Sequence, residues 1–130
     1  MSYTGVAVSD PTFDTCFARQ QLGYALDAES TVTQATSKST AVTVNTSCGQ
    51  ITMNNAALAA TTSVSFTLNN SLLSTRDVII VNFVSGGTAG AYNAWVSGLT
   101  TGTATITLRN VSAGSLSEAV VLNFTIIHGQ

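Results

Sequence analysis

From Thr31 onward, apolar and polar residues alternate with a period of two. In "SVSFTLN", Val64, Phe66 and Leu68 point one way, and Ser63, Ser65, Thr67 and Asn69 the other. In "TATITLR", Ala104, Ile106 and Leu108 oppose Thr103, Thr105, Thr107 and Arg109. Val120, Leu122, Phe124 and Ile126 form a fully apolar face near the C-terminus. Side chains leave a strand on opposite faces in turn, so this pattern specifies strands with one face on a core. The Val, Ile and Thr residues suit a pleated surface sterically.

Further strands are expected at roughly 31–36, 41–45, 48–54, 77–84 and 91–97. Between them lies turn chemistry. "GGTAG" (Gly86–Gly90), "TTG" (Thr100–Gly102) and "SAGS" (Ser112–Ser115) supply glycines for positive φ. "NNAALAATT" (Asn54–Thr62) fits a loop or a single helical turn. "RNVSAGSLSEAVVLNFTII" reads as strand, tight turn and strand. "DVIIVNFV" breaks the alternation by being apolar on both faces. It is expected to be a central strand, or to turn its outer face to the chain's own arm or another subunit, because an exposed strand of that kind invites aggregation. The result is an all-β fold, a single antiparallel β-sandwich or jelly-roll-like domain of about eight strands over residues 31–130.

Residues 1–30 differ in character. They hold five of the ten charged residues and the only proline, Pro11. A turn is expected at Ser9–Pro11. Phe13, Phe17 and Leu22 then fall on a loose helical spacing that Gly23 could end. The segment is too short for a core of its own and reads as an N-terminal arm that packs on the body or on a partner.

Only 8% of residues are charged and the net charge is −2, against roughly 25% charged in an average soluble domain. Thr, Ser and Asn replace the missing charge. A neutral surface of this kind suits a protein that sits packed beside neighbours. The four basic residues, Arg19, Lys38, Arg76 and Arg109, are scattered. Nucleic acid is therefore rejected as the main partner, since phosphate binding requires clustered cations. No apolar run approaches the roughly 20 residues of a membrane span. The N-terminus lacks the basic and apolar regions of a signal peptide, so synthesis in a cytosol is expected.

The sequence offers little to an enzyme. His128, the one histidine, lies near the C-terminus, where a base is poorly held, and no catalytic residues are assigned. Two cysteines and one histidine at unrelated spacings make no zinc site, and the acidic residues are too dispersed for calcium. No metal and no cofactor is expected. Cys16 and Cys48 read as free, buried thiols. Asp77 and Glu118 could form a carboxylate pair for glycoside hydrolysis only by meeting in space. Asp77 reads better as a cap at the start of a strand. "GGTAG" lacks the Lys-Ser/Thr of a phosphate loop. Trp95 is the contact candidate within the strands: if Tyr92, Ala94 and Val96 face the core, Trp95 faces out.

The stretches "TVTQATSKSTAVTVNTSCGQITMNNAALAATTSVSFTLNN", "GGTAGAY" and "ATITLRNVSAGSLSEAVVLNFTII" together resemble a small β-module of tailed-bacteriophage virion proteins. The resemblance covers about Thr31 to Ile127. "QLGYALDAEST" resembles the usual lead-in, although a "GAGG"-like turn is "DAES" here. The resemblance carries no catalytic motif. It implies a virion structural protein, most like a capsid decoration or cement protein on the outer surface of the head. It implies a homotrimer that binds the major capsid protein, with Tyr3, Phe13 and Phe17 as anchors of the arm. The rival expectation is a fibre-type module that binds a host-surface glycan or receptor, for which Trp95 and Tyr92 are the exposed aromatic candidates.

Overall fold

The alternating stretches become eight strands, stacked as two four-stranded sheets in a computed structural model that describes residues 11–129. The strands are β1 (Glu29–Thr33), β2 (Val42–Thr43), β3 (Cys48–Thr52), β4 (Ser63–Asn69), β5 (Val78–Ser85), β6 (Tyr92–Thr100), β7 (Thr103–Asn110) and β8 (Val121–Ile127). One sheet has the order β1-β3-β8-β5 and the other β2-β4-β7-β6. The fold is an all-β sandwich. Among the described residues, no helix is long and apolar enough to cross a membrane.

The core lies where the period-two pattern puts it. Phe66 and Leu68 of β4, Ala104, Ile106 and Leu108 of β7, and Leu122, Phe124 and Ile126 of β8 are buried between the sheets. Ile51, Met53 and Val120 join them. Truncating one such fully buried aliphatic side chain to alanine typically costs about 2–5 kcal/mol. Gly49 sits opposite Phe124 in the β3–β8 register, and a Cβ there would lie 2.5 Å from the Ser30 carbonyl oxygen and 2.9 Å from the Phe124 ring. Only glycine lets β1, β3 and that ring come so close.

The expected β-sandwich is present, and four of its six strand pairings are antiparallel, but β1 pairs with β3, and β2 with β4, in parallel. The cause is the path of the chain. Only β6 and β7 are consecutive neighbours within one sheet, turning at Gly102 with φ +81°. Every other connection crosses to the opposite sheet, so strands two apart in sequence return side by side and can run the same way. The stretch read as a hairpin from Arg109 to Ile127 is likewise a crossing. β7 ends at Asn110, residues 111–120 pass between the sheets, and β8 starts at Val121. Gly114 takes no positive φ there. The buried Asn110 side chain shapes the bend instead, donating to the carbonyls of Leu58 and Gly114 and accepting from the Ser112 amide.

β5 is not a central strand. It lies at the edge of its sheet, and Val78, Ile80 and Val84 on its outer face are exposed. Gly86 and Gly90 do adopt positive φ in the turn that follows. "NNAALAATT" forms a loop tied to the last crossing by a bridge between Leu58 and Leu116.

Candidate functional site

Among the described residues, those from 11 to 28 are the least covered. Residues 11–25 form no helix, and the only helical turn among the described residues is a 3-10 turn at Leu26–Ala28. The expected helix through Phe13, Phe17 and Leu22 is therefore absent. A helix that short has too few hydrogen bonds to offset its nucleation unless tertiary packing supports it. Here the body supplies no such packing. Phe13 is 67% exposed, Phe17 90%, Leu22 84% and Leu26 83%. Tyr3 and the start of the Ser9–Pro11 turn lie outside the described residues. The arm is tethered at its base, where the Tyr24 hydroxyl donates to the carbonyl oxygen of Ile126.

That tether joins two apolar surfaces. Beside Ile126, on the outer face, Ile127 pairs in register with Val78, and both are exposed. Leu72, also exposed, lines a small recess with Tyr24, Ser47, Ile126 and His128. The arm thus leaves the sandwich at an end that is itself apolar. The sequence reading put Phe13, Phe17 and Leu22 on one helical spacing, named Phe13 and Phe17 as anchors, and overlooked Leu26. The fourfold spacing of Leu22 and Leu26 suggests a helical face only if a helix forms.

Trp95 lies on the outer face of the second sheet, 38% exposed, as the alternation with Tyr92, Ala94 and Val96 requires. Its register partner is Thr107, whose hydroxyl shares hydrogen bonds with Ser65 at 2.8 Å and Ser97 at 2.7 Å. Tyr92 does not join it. It turns inward, stacks on Phe83 with ring centroids 6.1 Å apart, and donates to Glu118 Oε2 at 2.8 Å. Burial, together with that carboxylate, pushes the Tyr92 phenol well above its ordinary value.

The titratable groups are placed as structural ties. His128 Nδ1 lies 2.6 Å from Oδ1 of Asp77, which is buried. The terminal histidine is thus held, not frayed. Asp77 also accepts from the Ser74 amide at 2.9 Å, the Ser74 hydroxyl at 3.0 Å and the Gly129 amide at 3.0 Å. Burial pushes the Asp77 carboxyl upward, but the hydrogen bonds from Ser74 and Gly129 and the nearby His128 outweigh it and hold its pKa below the ordinary value. Serine, aspartate and histidine meet here in an order unsuited to nucleophilic catalysis. Ser74 and His128 both address the carboxylate, whereas activation of a serine requires the histidine between them.

Glu118 belongs to a separate cluster. The amide and hydroxyl of Thr88 donate to its two oxygens at 2.8 and 2.7 Å. Those bonds, then Tyr92 and Lys38, hold its carboxyl below the ordinary range against the opposing effect of burial. Asp77 precedes β5 and the Glu118 cluster follows it, so the two carboxylates sit at opposite ends of that strand and form no catalytic pair. Cys16 is exposed, contrary to expectation, because the arm has no core of its own; Cys48 is half-buried, and both are free. Among the described residues, no three His, Cys, Asp or Glu side chains are grouped to hold a metal ion.

No family model, curated protein or solved structure matches the chain.

Proposed function

We propose that this chain is a non-enzymatic structural protein of a tailed-phage virion, which decorates the head and stabilises it by binding the major capsid protein lattice. The observation that carries the reading is the arm. Phe13, Phe17, Leu22 and Leu26 are held out to solvent beside a rigid β-body whose adjoining end exposes Val78 and Ile127. Soluble proteins rarely present such an array unless a partner covers it. Burying each large apolar side chain is worth about 1.5–3 kcal/mol. Together, the arm's four are worth on the order of 6–12 kcal/mol before the cost of ordering the segment.

The mechanism is mechanical. The arm lies across neighbouring capsid subunits and the sandwich bridges their boundary, so separating the subunits under internal pressure must also expose the buried apolar surface. Low charge suits a protein placed many times on one lattice, where like charges would repel. Self-association into a trimer on the head surface belongs to the same proposal. The inward turn of Tyr92 leaves Trp95 without its expected aromatic neighbour, which weighs against the rival receptor-binding face.

The test is deletion of residues 1–25. The truncated chain is expected to keep the β-body folded, by circular dichroism and thermal midpoint, and to lose binding to purified heads. A truncated chain that still saturates heads would overturn the proposal.

A further inference from the structure

The outer face of the first sheet carries an arrangement that the docking of the arm does not use. Thr31, Gln50, Asn123 and Asn82 stand abreast across β1, β3, β8 and β5, each in register with the next. One step along the strands, Glu29, Cys48, Thr125 and Ile80 form a second row in the same way. Together the two rows line a groove of about 450 Å³. Gln50 Nε2 donates to Asn123 Oδ1 at 3.0 Å, which fixes the orientation of both amides.

These amides sit against the local grain of the sequence. Asparagine is disfavoured in strands. Yet Asn82 interrupts the apolar run of β5, and Asn123 faces it across the ladder from β8. Neither contributes to the core, which lies on the opposite face. On the outward face these amides are free of the core, and their donors and acceptors are open to a ligand.

We infer that this groove binds a neutral glycan. Side-chain amides and threonine hydroxyls both donate and accept hydrogen bonds, as sugar hydroxyls do. The volume falls in the range of small-ligand sites. Ile80 supplies an apolar patch for the C–H face of a sugar ring. Among the described residues, no cation lines the groove, and Glu29 stands at one end of it. Sulfated, phosphorylated or carboxylated sugars would meet no counter-charge there and one like charge. An extended peptide would instead add at a strand edge, where backbone groups are unpaired, and not across the paired strands β3 and β8.

The experiment is a nitrogen-15 NMR titration of the full chain with lactose, maltotriose, mannobiose and N,N′-diacetylchitobiose, with sialyllactose as the charged comparison. At least one neutral sugar should produce saturable shifts at the side-chain amides of Gln50, Asn82 and Asn123. Asn82→Ala and Gln50→Ala should each weaken that binding about ten-fold or more while the thermal midpoint stays near that of the parent. The inference is overturned if no neutral sugar shifts those amides, if sialyllactose alone binds, if the shifts gather around Trp95, or if both variants bind like the parent. Because the assay involves no capsid, its outcome is independent of the arm-deletion test.

Discussion

The Nζ of Lys38 donates to the carbonyl oxygen of Glu118 at 2.6 Å, joining the first crossing between the sheets to the last. The same buried ammonium donates to the carbonyl of Asn54, in the crossing that follows β3. Gln34 completes the tie, donating to the carbonyls of Lys38 and Thr40 and accepting from the Asn54 amide. In a sandwich whose connections mostly change sheets, one cation thus knits three of them. Burial lowers the Lys38 pKa, partly offset by the Glu118 carboxylate.

Replacing Lys38 with methionine keeps the stem and removes the donor, leaving two carbonyls without it. The expected loss is roughly 2–4 kcal/mol. Urea denaturation checks it, with a lower midpoint at unchanged slope. A variant as stable as the parent would show that water satisfies both carbonyls.

Acid should destabilise the fold through Asp77 and Glu118. Both carboxyls are held below their ordinary pKa in the folded state. Their contribution is therefore fully present above the ordinary carboxylate range of about 4 and is lost as pH falls through the lowered folded values. Thermal midpoints recorded from neutral pH downward should fall on that limb. Asp77→Asn should flatten part of the fall, and an identical acid limb in the variant would exclude Asp77 as its source.

Thr61 is the one described non-glycine residue with positive φ, at 57°. A β-branched residue pays a steric penalty there. Thr61→Gly should therefore stabilise the chain by about 0.5–1 kcal/mol after the added freedom of the unfolded state is counted. Calorimetry reads the sign directly, and a lower midpoint would mean that the threonine hydroxyl's bond to the Ala60 carbonyl outweighs the strain.

Phe17→Ser separates docking from folding. At 90% exposure the ring adds nothing to the body's core, so stability should stay within about 0.5 kcal/mol of the parent. Occupancy of heads should nevertheless fall. Unchanged occupancy would remove Phe17 from the docking surface.

The strands were legible because burial on one face imposes a period of two, as in Val64–Leu68 and Leu122–Ile126. Pairing was not, since the same alternation serves a parallel or an antiparallel neighbour. Residues 111–120 contain turn-forming residues whether they close a hairpin or cross between sheets, and the deciding contacts, from Asn110 to Leu58 and Gly114, become visible only in three dimensions. Phe13 and Phe17 both stand exposed, and the helical spacing misled because no body surface supports a helix there. The amide row was hidden because Gln50, Asn82 and Asn123 are far apart in the sequence and meet only through register.

The most direct test of the head-decoration reading is immunogold labelling of intact virions with antibody to the β-body, viewed by electron microscopy. Label distributed over the head is the predicted result. Label confined to a tail, spike or single vertex, or absent from the particles, would contradict it.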